Sequence, residues 1–256
     1  MTPLERAAAF REQLGLGEAP IRDMQSLIAT GARVDVAVMD MPDGIDGMTR
    51  CDPKSGAFIV AVATSDNPER QRFSLAHELG HIVFEDFSDD IGSVHATGSR
   101  ETRAHDFARH LLAPLGGVRR LADALPGSSA EQLTSAVVQH FGISPKPAAI
   151  QLHAIDAITA SEKAMVSELT SRTLATRFGW SEERQLRVAD AQRPQPPQQI
   201  VAAATHAYAD GKLSLRVLAR LRGTADIAAL ESELAAAGLS PSEPPVERPN
   251  IDVDDW

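Results

Sequence analysis

A single cysteine, Cys51, stands in a chain of 256 residues. One thiol cannot close an intrachain disulfide or build a multi-cysteine zinc site, and it fits a reducing compartment. Aromatic residues are sparse, at 4%, and alanine is abundant, a balance that favours helix over sheet. Basic residues are outnumbered, 25 Lys and Arg against 35 Asp and Glu, for a formal charge of −10. Phosphate binding draws on clustered lysine and arginine, so direct nucleic-acid binding is disfavoured. No window reaches the roughly 18 consecutive apolar residues of a membrane span. The opening MTPLERAAAFREQLGL scatters charges among its apolar residues, unlike the apolar run of a signal peptide. The expected location is the cytoplasm.

What is present is enough for one sizeable core with a smaller helical appendage. Thr2, Pro3 and Glu5 form a helix start, and a second short helix is expected from Asp23 to Thr30. The period then changes. RVDVAVMD alternates and GAFIVAVAT is a continuous apolar run, both of strand length, with room for one short strand around Met48 to Cys51. Pro68 opens a helix expected to reach about Phe84, and a second begins near Ser99 and is ended by Pro114. Two helices joined at Gly142 to Pro145 and one long helix from Ser161 to Phe178 are expected to follow. At DAQRPQPPQQ the composition breaks into a stiff, proline-rich linker.

One stretch carries chemistry: LAHELGHIVFED, Leu75 to Asp86. Residues four apart share a helix face, so the rings of His77 and His81 can converge on one metal ion. Glu78 lies about 100° further round, placed to take a proton from water on that metal without binding the metal itself. A solvated helix could show the same spacing by chance. Phe73, Leu75, Ala76, Leu79, Ile82, Val83 and Phe84, however, make this helix apolar nearly all round, and buried histidines and a buried glutamate need partners. A metal and a water supply them.

A catalytic zinc takes a third protein ligand and leaves one position open. Glu85, Asp86, Asp89, Asp90, His95, Glu101, His105, Asp106 and His110 all follow. Those just after His81 continue the same helix or occupy its exit and compete poorly. Glu101, one turn into the next helix, can return against the His pair in a helical hairpin. His105, one turn later on the same face, is either the alternative ligand or a partner to a ligand histidine. His95 and His110 are weaker candidates for oxyanion support, with packing roles weighing more heavily for both.

FSLAHELGHIVFED followed by ETRAHDFARHLLAP resembles the ImmA/IrrE-type metallopeptidases, whose pattern is an AHELGH helix and then a helix with glutamate, a small residue, asparagine, FA and LLMP. The resemblance runs over roughly residues 5 to 155. It implies His77, His81 and Glu101 as zinc ligands and Glu78 as general base, with manganese as an alternative metal. Here His105 stands where the family has asparagine, and Ala113 replaces the methionine before proline. The resemblance also implies a substrate: a DNA-binding, helix-turn-helix repressor, cut to switch on stress or mobile-element genes. A non-catalytic, metal-containing regulator that only binds its partner is the competing reading, and the intact Glu78 favours the enzyme.

The expected fold class is α+β: a small N-terminal sheet packed on a helical metallopeptidase core, then an all-α module. The core domain is expected over 1–155, a helical extension over 156–189, the linker at 190–199, the helical module at 200–238 and an acidic, proline-rich tail at 239–256. That tail reads as disordered or as a docking peptide. The turn FGIS mimics a helix-turn-helix, but Lys146 is the only base in its second helix, so packing explains it better. Lys212, Arg216 and Arg220 recur every four residues, the pattern of a solvated helix face.

Overall fold

The computed structural model describes residues 1–42, 44–52, 56–86 and 98–241. The first helix, α1 (Pro3–Gln13), starts in a capping box: the Thr2 hydroxyl accepts from the Glu5 N–H while the Glu5 carboxylate accepts from the Thr2 N–H. Its buried Arg11 is satisfied by backbone carbonyls, donating to Gly17 at 2.8 Å and also to Ala19 and Leu111. The helix expected from Asp23 to Thr30 is one α-helical turn, α2 (Met24–Leu27), which widens into a π-helical turn at Ile28–Ala32. Arg33, left-handed at φ 55°, ends it and turns the chain into the sheet.

Three strands follow, β1 (Asp35–Met39), β2 (Gly47–Cys51) and β3 (Phe58–Ala63), in the order β1-β3-β2. The central strand β3 runs parallel to β1 and antiparallel to β2. Val36, Val38, Val60 and Val62 enter the core. On the outer edge of β1, Val38 and Gln195 exchange two backbone hydrogen bonds of 2.8 Å. Gln195 lies in the stretch read as linker, so the first part of that stretch is tied to the sheet.

The sheet packs on α3 (Pro68–Val83), which is capped by the Asn67 side chain and followed by α4 (Gly98–Leu112). The two helices pack closely at Gly80, where an added Cβ would lie 3.2 Å from the Ala104 Cα and 3.2 Å from the Phe107 ring. Further helices complete the unit: α5 (Leu115–Asp123), α6 (Ala130–Phe141), α7 (Pro145–Ala154), α8 (Ala160–Ser167), α9 (Ser171–Phe178) and α10 (Ser181–Ala191). The single helix expected from Ser161 to Phe178 is divided between α8 and α9. Thr170 takes an extended conformation, φ −102° and ψ 153°, and its hydroxyl caps Thr173 N.

The fold is α+β. Phe107, Leu111, Leu112, Leu75 and Leu79 are fully buried at its centre, and Val166, Leu174 and Trp180 from beyond residue 155 join the same core. Met1–Gln195 form one compact unit, and the chain from Pro196 forms another. In the latter, α11 (Gln198–Ala209), α12 (Leu215–Leu221) and α13 (Ile227–Ala236) close over Tyr208, Leu218, Leu230 and Leu234. Among the described residues no helix is long and apolar enough to cross a membrane.

The Gly80 contact is tested by Gly80→Val. The branched side chain would have to displace helix backbone and an aromatic ring, and a loss of about 1–3 kcal/mol is expected in chemical denaturation, as for an overpacked core.

Candidate metal centre

His77 and His81 project from successive turns of α3 with their Nε2 atoms 3.0 Å apart. Glu101, in the first turn of α4, reaches both: its Oε2 is 3.1 Å from His77 Nε2 and its Oε1 is 3.3 Å from His81 Nε2. The three donor atoms all lie within 4.8 Å of one another. Glu101 reaches the pair because α4 rests on Gly80, which has no side chain to hold it off.

The residues fit a divalent ion on chemical grounds. Burial pushes the His77 pKa down to about 3, with the His105 and His81 rings adding to the effect, so this imidazole is neutral near pH 7. His81 Nδ1 faces the Asp86 carboxylate at 3.1 Å, while its Nε2 faces His77 and Glu101. Imidazole nitrogen and carboxylate oxygen converging on one point form a donor set suited to zinc.

Glu78, buried at 7% exposure, points to the other side, towards β2. The Thr49 hydroxyl donates to its Oε2 at 2.7 Å. Beneath it lies Gly47, where a Cβ would come within 3.3 Å of Oε1. Burial raises the Glu78 pKa, and the Thr49 hydrogen bond opposes the rise. A carboxyl group poised this way can take and return a proton.

The other sequence candidates fall elsewhere. The exposed His105 lies against the His77 ring, centroids 4.5 Å apart, and stacks on Phe73 at 5.5 Å. It is not in the three-donor group, and His77 Nδ1, the atom a partner would satisfy, is buried without a hydrogen bond among the described residues. His110 turns to α7, where its Nδ1 accepts from Gln151 Nε2 at 3.3 Å. Gln151 is itself fixed by Arg109, which donates to its Oε1 at 2.6 Å. Asp106 pairs with Arg109. His95, with Asp89 and Asp90, lies outside the described residues.

Sequence reasoning passed over two residues. Asp86 was set aside as part of the helix exit, yet its side chain is 3% exposed and pairs with His81. Thr49 is held against Glu78 only by the packing of sheet on helix, which no local periodicity records.

In class terms this is a metallopeptidase-like centre. Residues 32–153 match the family model described as the IrrE N-terminal-like domain, a peptidase family. The stretch that holds the sheet, the two histidines and Glu101 is therefore similar to the ImmA/IrrE family. A comparison with curated proteins finds no match.

The neutral histidines make the metal-free protein acid-sensitive. Burial, reinforced by the charge of Arg109, pulls the His110 pKa from 6.5 to about 4. Between those values the unfolded chain binds the proton and the folded chain does not. Stability is thus fully present above pH 6.5 and is lost as pH falls towards 4. Urea titrations of the metal-free protein are expected to show that fall, with a shallower slope for His110→Gln.

Proposed function

We propose that the protein is a zinc-dependent endopeptidase that cuts a peptide bond in a partner protein, a DNA-binding helix-turn-helix repressor, within a stress or mobile-element switch in the cytoplasm. The observation that carries the reading is Glu78: a buried carboxyl with a raised pKa, held by Thr49 beside three convergent metal-type donors. A partner-binding module has no use for such a group.

His77, His81 and Glu101 would hold the ion, zinc by preference and manganese as the alternative. Bound there, it supplies Lewis acidity, polarising the scissile carbonyl and making water a better acid. Glu78 takes a proton from the attacking water and delivers it to the leaving amine nitrogen. Its burial makes it basic enough for the first transfer, and the Thr49 hydroxyl holds one of its oxygens in place. β2, which has a neighbour on one side only among the described strands, can align an extended substrate segment by main-chain pairing next to this carboxyl.

Zinc content and cleavage of a co-encoded repressor, measured for wild type and Glu78→Gln, test the reading. The variant should bind zinc as wild type does and lose about 10²- to 10⁴-fold in cleavage rate. Equal cleavage by both proteins would remove Glu78 from the mechanism, and a wild type that takes up no divalent metal would remove the site.

Thr49→Val examines the base more finely. Loss of the donated hydrogen bond should raise the Glu78 pKa further, so the acid limb of the kcat/KM profile is expected to move to higher pH while zinc content is unchanged.

A further inference from the structure

The end of α3 folds back in a specific way. Phe84 is the C-cap, and Glu85 takes a left-handed conformation at φ 55°. The Glu85 N–H bonds the Ile82 carbonyl at 3.1 Å and the Asp86 N–H bonds the His81 carbonyl at 3.0 Å, the two hydrogen bonds of a Schellman motif. The same reversal brings the Asp86 carboxylate under the His81 ring, Oδ2 to Nδ1 3.1 Å. Backbone and side chain of these two residues are thus paired at once.

Asp86 is held from the other helix as well. The Arg103 guanidinium pairs with its Oδ1, and Arg100 donates to its backbone carbonyl at 3.2 Å. Arg103 is fixed in turn by the Phe84 ring, with its guanidinium carbon 4.5 Å from the ring centroid. A carboxylate that is 3% exposed would be costly if unpaired, and here both oxygens are engaged. One turn of α4 therefore delivers Glu101 to the Nε2 side of His81 and Arg103 to the carboxylate on its Nδ1 side.

We propose that Asp86, clamped by Arg103, is a positioning residue for the metal centre: it holds His81 as the Nδ1–H tautomer with Nε2 free to bind the ion. The proposal rests on the metal-site reading above. It assigns Asp86 no contact with substrate or metal. It also separates the two histidines, since His77 Nδ1 has no such partner among the described residues. His81 is the pre-set ligand, and His77 is oriented by packing and by the His105 ring.

Two measurements on the full chain test it. In the metal-free protein, nitrogen NMR of histidine-labelled wild type should show His81 protonated at Nδ1, and Asp86→Ala should shift it towards the Nε2–H form. Zinc affinity, from competition with a chromophoric chelator well below the melting temperature, should fall about 10- to 100-fold in Asp86→Ala, with partial recovery in Asp86→Asn, whose amide oxygen can still accept. Arg103→Met should weaken zinc in the same direction and leave Glu101 in place. An unchanged tautomer, or an affinity within twofold of wild type in folded Asp86→Ala, would overturn the positioning role even if the variant melts earlier. If wild type and His77→Ala bind zinc equally weakly, the metal site itself falls, whereas the tautomer comparison still decides whether Asp86 governs His81.

Discussion

The close packing of α3 against α4 at Gly80 is the contact on which the centre depends. Glu101 can satisfy two histidines from a different helix only if the axes approach to the point where a side chain at residue 80 would strike Ala104 and Phe107. The apolar residues around that contact, Leu75, Leu79, Phe107 and Leu111, are all buried to 2% or less, so the approach is held by a packed core and not by the ligands themselves. That is the condition for a pre-formed site.

Around that contact, buried polar groups are mostly matched by short-range partners of the right kind. Arg11 and Arg72 are both pushed down to about 10 by burial, and both spend their donors on backbone carbonyls: Arg11 on Gly17, and Arg72 on Ile21 at 2.6 Å and Gly142 at 3.2 Å. These arginines staple the segment after α1 to the helical core. At the centre the matching is deliberately incomplete. Two imidazole nitrogens and a carboxylate face one another, and a divalent cation resolves that arrangement better than protons do.

Much of this was legible in the chain, for identifiable reasons. His77, Glu78 and His81 sit on one strongly periodic helix, so spacing alone fixes their relative directions. Glu101 required the hairpin of two helices, which Pro68 and Pro114 delimit. α5 was not foreseen because LGGVRRLAD carries two glycines. They are there because Glu18 packs against that turn, and a Cβ at Gly117 would lie 2.6 Å from the Glu18 carbonyl oxygen. The break at Thr170 was hidden by a continuous helical pattern that one cap residue interrupts. Asp86 was hidden differently: a glutamate, not a glycine, occupies the left-handed position that folds it back, so the usual mark of a helix end is missing.

The Thr49–Glu78 hydrogen bond sets one limit of the chemistry along the chain, and the Asp86–Arg103 pair lies close to the other. The side chains described above against the donors and the base, Thr49, Asp86, Arg103 and His105, are thus all supplied between β2 and α4. The helices after Leu112 add apolar packing and a few polar ties to α3 and α4, among them Gln151 to Arg109 and Arg184 to Glu69. One short span of chain thus carries the donor atoms together with the groups that hold them, and a change in the later helices reaches that span through the packed interior and through Gln151.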